Sequence, residues 1–167
     1  MIRKTLSQVL LVTLLSISFV SCSKEEIASD QNNNNTPTNV TYTYSQDELE
    51  LMNIINDYRV SIGKNRLEKV DFISVKSEEH DLYMISKGGI SHDYFQDRYE
   101  ALVKNLGAVN VSENLAYNYS TPQGVFNAWL NSAGHKANIE GDFSHFGIAI
   151  RTNSEGKKFY TNLFMKK

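Results

Sequence analysis

The chain of 167 residues has a single cysteine, Cys22, so no disulfide can form within it. It also lacks basic runs. Without Arg3 and Lys4 of the first segment, 15 basic residues stand against 19 acidic ones, a formal charge of −4. That balance excludes nucleic acid as an expected partner. Long apolar runs are missing too. The stretch Leu6 to Val20 is too short and ends too much like a cleavage site to be a membrane span. Local signatures of chemistry are absent as well: there is no H-E-x-x-H, no C-x-x-C, no G-x-S-x-G turn and no glycine-rich phosphate loop. Any site must therefore be assembled from residues distant in sequence.

What is present begins with a leader. Arg3 and Lys4 precede the apolar stretch, and Phe19-Val20-Ser21-Cys22 closes it with small residues before the cysteine. This predicts a secretory signal over residues 1–21. A lone thiol at that point resembles the lipobox of bacterial lipoproteins, in which the cysteine is lipidated and becomes the mature N-terminus. Cys22 is then the lipid anchor, and the membrane is a partner through it. Ser23-Lys24-Glu25-Glu26 resembles the export signal of Bacteroidetes surface lipoproteins, which implies an outer-membrane, outward-facing location. Residues 22–44, with QNNNNTPTN at their centre, are too polar to bury much surface and read as a disordered tether. Residues 45–167 are left as one domain with a sizeable core.

The domain opens at Ser45-Gln46-Asp47-Glu48, a capping box, followed by Leu51, Ile54, Ile55, Tyr58 and Ile62 at helical spacing. A second helix is expected over Asp71 to Ser86, with Ile73, Ser77, His80, Tyr83 and Met84 inward. A third runs from Phe95 to Leu106 and stops at Gly107. A fourth starts at Thr121-Pro122, presents Val125, Phe126 and Trp129, and breaks at Gly134. The period then changes, and Phe146 to Ile150 and Phe159 to Met165 read as a hairpin. Helices first and strands last argue for an α+β fold with an antiparallel sheet.

Three polar residues stand at breaks in this pattern: His92 between two helices, Glu113 within a mostly apolar run, and His135 after Gly134. Spacing alone does not say whether they meet. Of the other histidines, His80 reads as a core residue bonded to backbone and His145 as a solvated one before a strand. Trp129 reads as core, and Asn138 as satisfying backbone groups near His135.

Taken in order, Ser91-His92, Ser112-Glu113-Asn114-Leu115-Ala116, Trp129-x-x-Ser132-x-Gly134-His135-x-x-Asn138-Ile139 and Phe143-x-x-x-Gly147-Ile148-Ala149 resemble the CAP superfamily. This group joins cysteine-rich secretory proteins, antigen 5 and pathogenesis-related group 1 proteins. Ile55-Asn56-x-Tyr58-Arg59 and Phe159-Tyr160-Thr161-x-x-Phe164 fit as well, and the cysteine-free bacterial branch is the nearest likeness. The resemblance implies a three-layer α-β-α sandwich around a small antiparallel sheet. It also implies a cleft lined by two histidines and two glutamates, which in some members binds a divalent metal such as zinc.

On that resemblance His92, Glu113 and His135 are cleft residues and candidate metal ligands. The second glutamate, three residues after the tryptophan, falls on Ser132, and Ser112 stands where the family usually has glycine. Two imidazoles and one carboxylate still suffice for an open zinc site. A serine, however, cannot serve as the missing base, because its hydroxyl does not ionise near neutral pH. The expectation is therefore a non-enzymatic envelope module binding a lipid, glycan or peptide. The alternative is a metal-dependent hydrolase of envelope or extracellular polymers. A serine nucleophile at Ser132 is not expected, since no third orienting residue or strained elbow accompanies it.

Overall fold

The structure, a computed structural model, describes residues 40–167. The expected signal segment, lipid anchor at Cys22 and most of the expected tether lie outside the described residues. In chain order the elements are α1 (Gln46–Ser61), β1 (Glu68–Lys69), α2 (Asp71–Lys87), α3 (Phe95–Leu106), β2 (Asn110–Tyr117), α4 (Pro122–Leu130), α5 (Ala133–Ile139), β3 (His145–Thr152) and β4 (Lys158–Lys166). Among the described residues no helix is long and apolar enough to cross a membrane.

Local chemistry sets several boundaries. The Ser45 hydroxyl accepts from the Glu48 amide while the Glu48 carboxylate accepts from the Ser45 amide, so the capping box forms as read. Thr121 caps α4 through the Gly124 amide, with Pro122 in the first turn. Gly107 ends α3 in the left-handed conformation, which glycine adopts at no steric cost.

The sheet runs β1-β3-β4-β2. Both β2–β4 and β3–β4 are antiparallel, and only the two-residue β1 adds to β3 in parallel. The alternation of side chains then divides the molecule into layers. Phe146, Ile148, Ile150, Tyr160 and Phe164 point to one face and meet Leu51, Ile55, Val125, Phe126, Trp129 and Ile139 of α1, α4 and α5. Val111, Leu163 and Met165 point to the other, against Phe72, Ile73 and Leu102 of α2 and α3. The result is the α-β-α sandwich. On the second face α2 lies so close that a Cβ on Gly147 would come within 2.6 Å of the Ile73 Cβ.

Four local expectations need correction. The tether does not reach residue 44: Tyr42 is buried and donates to Glu48 (2.8 Å), and Tyr44 donates to Asp71 (3.0 Å), so both belong to the domain. Gly134 does not break a helix but lies within α5, because the chain turns extended two residues earlier, at Ser132. Glu113 is not at the end of an element but in the middle of β2. Finally, Ile62 is exposed beyond the last turn of α1, whose inward face instead carries Glu48, Asn56 and Arg59. Arg59 tolerates full burial because its guanidinium donates to the carbonyls of Asn65, Ile139, Gly141 and Phe143.

Candidate functional site

His92 sits in the loop between α2 and α3, which polar contacts hold in shape. The Ser91 carbonyl accepts from His80 Nε2 (2.7 Å), the Ser91 hydroxyl accepts from the Asp93 amide (3.1 Å), and Tyr83 donates to the Asp93 carboxylate (2.7 Å). The side chain of His92 is 60% exposed, yet its Nδ1 lies 2.7 Å from Oε1 of Glu113, whose own side chain is 2% exposed. The other oxygen of Glu113 accepts from Arg98 Nε at 2.8 Å, and Arg98 Nη2 approaches the same oxygen at 2.6 Å. A buried carboxylate is thus matched by a buried guanidinium and made to orient an exposed imidazole. Arg98 was not among the residues singled out from the sequence. It lies four residues before Leu102 on the inward stripe of α3, and that spacing is the signal that would have found it.

Ser132 and His135 come from the other side of β2. Ser132 is the residue before α5; its carbonyl accepts from the Lys136 amide (2.8 Å), and its hydroxyl makes no capping bond. Together with Trp129, Ile90, Tyr117 and Tyr119, these two residues line a cavity of about 330 Å³. This cavity runs beside the open edge of the sheet, since β2 is an edge strand. Two carbonyls on that edge are already taken: Trp129 Nε1 donates to Leu115 (2.9 Å) and Asn138 Nδ2 to Glu113 (3.2 Å). Such capping blunts the edge against further strand pairing. Asn138 also donates to the Asn114 side chain (2.8 Å), which in turn donates to the His135 carbonyl (3.0 Å).

Of the four residues expected in the cleft, His92 is thus bonded to Glu113, while Ser132 and His135 line one cavity. The asparagines 114 and 138 join the two through β2. Burial, and then the nearby His92, push the His135 pKa below the usual histidine value, which leaves the ring neutral near pH 7. His80 is buried and bonded to backbone, as expected from its place on α2. His145 is half-buried beside Ser144 and Glu68, so it is less solvated than expected.

The resident groups fit a metal ion poorly as arranged. Both Glu113 oxygens are engaged, one by His92 and one by a guanidinium whose charge opposes a cation. No carboxylate stands at Ser132. Among the described residues, no three His, Cys, Asp or Glu side chains come together as a metal site. Glu113 occupies the place of an orienting partner to His92 rather than that of a ligand.

This geometry, two histidines and a buried glutamate around an edge strand of an α-β-α sandwich, is accompanied by a sequence match. The family model for the cysteine-rich secretory protein family, CAP, matches residues 52–164. The chain belongs to the CAP family. This CAP domain is 29% identical over 126 residues to an uncharacterized membrane protein of Bacillus subtilis (strain 168), covering 72% of the chain and 34% of that relative. An uncharacterized protein of the same organism is 26% identical over 158 residues, covering 86% and 60%. The chain thus spans about a third and about three fifths of these two relatives. Among solved structures, an outer surface protein from Borrelia burgdorferi matches with a TM-score of 0.68 at 23% identity, covering 75% of this chain and 96% of that one. An extracellular SCP-domain protein from Bacillus anthracis matches at 0.64 and 21% identity, covering 76% and 45%. These structural likenesses show that the CAP fold is shared.

Proposed function

We propose that this CAP domain is a non-enzymatic binding module of the cell envelope, tethered through a lipid on Cys22, which takes its ligand in the cleft of His92, Glu113, Ser132 and His135. The observation that supports this reading is the state of the carboxylates. The one glutamate in the cleft is paired on both oxygens, and serine stands where a second would be. No carboxylate is left to take a proton from water. The cavity beside Ser132 and His135 has a largely apolar wall, in keeping with a lipid, glycan or peptide ligand. The envelope location draws on the leader and on similar proteins, one an outer surface protein, one extracellular and one a membrane protein.

The competing reading is a divalent-metal-dependent hydrolase of envelope polymers. It draws on His92, whose Nε2 makes no hydrogen bond among the described residues, and on the neutral His135. Calorimetric titration of the full chain with zinc chloride separates the two. The expected result is no saturable uptake at micromolar zinc by the natural protein, and uptake by the Ser132→Glu variant, which restores the second carboxylate. Micromolar binding lost in His92→Ala and His135→Ala, together with turnover of ester, peptide or glycoside substrates lost in the same variants, would overturn the binding-module reading.

A further inference from the structure

On the far side of Glu113 lies a second cavity, between α2 and α3, of about 260 Å³. We propose that it is a binding site for a neutral sugar ring, separate from the His92–His135 cleft. Its apolar wall is a line of three rings. His80 stacks on Tyr83 at 5.8 Å, and Tyr94 meets Tyr83 edge-on at 5.2 Å. Tyr94 is 62% exposed and sits in the left-handed backbone region at φ 58°, uncommon for a residue with a Cβ. An aromatic ring is thereby kept at the rim of the cavity instead of being packed away.

The polar groups select the ligand class. His80 is 2% exposed and lines the cavity. Its Nε2 faces the Ser91 carbonyl, which can only accept, so Nε2 carries the proton. Burial, and then the charge of Arg98, hold the ring neutral, so Nδ1 is a bare acceptor with no partner among the described residues. Asp97 and Glu79 add acceptors and Lys76 adds a donor, Lys76 and Glu79 being paired with each other at 2.8 Å. The Arg98 guanidinium is held by Glu113 and the Asp93 carbonyl. An anion would face two carboxylates and the imidazole lone pair, and a cation would face Lys76 and Arg98. A hydrocarbon chain would strip water from Lys76, Glu79 and Asp97 without replacing it. A ring bearing several hydroxyls meets every condition, since each hydroxyl both donates and accepts while the C–H face lies on tyrosine. The volume lies below the roughly 300–1,000 Å³ of sites for drug-sized ligands, so one ring is the natural occupant.

The test is an amide NMR titration of the 15N-labelled full chain with glucose, galactose, mannose and N-acetylglucosamine, with sodium acetate and sodium sulfate as charged comparisons. At least one sugar is expected to give saturable shifts centred on Tyr83, Tyr94 and Ala101. Tyr94→Gly suits the left-handed backbone, so it should keep the Tm of the parent while weakening sugar binding by about tenfold, the effect of one lost ring contact. If that variant loses Tm, Asp97→Asn, exposed on α3, serves as the second probe and should also weaken binding. The proposal is overturned if no sugar saturates these amides, or if acetate or sulfate shifts them more than any sugar. It also fails if folded Tyr94→Gly and Asp97→Asn bind as the parent does, or if sugar shifts appear only around Ser132 and His135, which would assign the sugar to the cleft.

Discussion

The two faces of the sheet use the same three long strands but bury different things. Under α1, α4 and α5 lies one large apolar cluster that includes Trp129, Phe146, Tyr160 and Phe164. Under α2 and α3 the apolar residues divide into two smaller clusters, and His80, Asp81, Arg98, Glu113 and Thr161 are buried among them. Dense apolar packing fills the centre of the first face, and its cavity lies at the β2 edge, beside Trp129, Ser132 and His135. A layer of paired polar groups on the second is directional instead, and the cavity between α2 and α3 lies in it. The first face carries the large apolar core and opens to the Ser132–His135 cavity at its edge, while the second carries a buried polar network.

That contrast can be broken at its strongest point. Trp129→Ala removes a buried ring from the apolar face and the hydrogen bond to Leu115, and should cost about 4 kcal/mol. Urea unfolding measures it; a loss near zero would mean that this face is not the stability centre. A smaller effect is expected across the sheet. Gly147→Ala would press a methyl group against Ile73 and the backbone of α2, which cannot rotate away, and should cost about 2 kcal/mol. Amide exchange should then show α2 loosened while α1 and α4 keep their protection.

The smallest effect concerns pH. Asp81 is fully buried on α2; Thr161 donates to one oxygen at 2.6 Å and the other has no hydrogen-bond partner among the described residues. Burial holds its pKa well above the ordinary 3.8, so the folded chain keeps a proton that the unfolded chain releases. Between those two values the folded state binds more protons, and stability falls as pH rises. Asp81→Asn should abolish that slope, so that the stability of the variant falls less than that of the parent as pH rises above about 4. Thermal unfolding of both proteins across that range checks it, and parallel curves would show that Asp81 does not contribute.

Much of the scaffold was legible because it depends on near neighbours. The Ser45–Glu48 box, the Phe95–Leu106 helix and the β3–β4 hairpin follow from contacts a few residues apart. Strand β2 was not read as a strand because its interior is mostly buried on both faces, which erases the alternation that marks a half-exposed strand. The helix break near His135 was misplaced for a related reason. Glycine is tolerated in a first helical turn, and it was the extended backbone of Ser132 that set the boundary. The burial of Arg59 and Arg98 was not legible, since nothing local announces the distant carbonyls and carboxylate that allow it.

By itself, then, the sequence determined the class of fold, the order of its helices and hairpin, and the family, because periodicity, caps and motif order are written along one dimension. Only the tertiary structure decided what each polar group does. It set Glu113 between His92 and Arg98, placed Ser132 and His135 on a different wall, and opened a second cavity behind His80. Those outcomes depend on which residues distant in sequence meet in space, and on how little water is left between them.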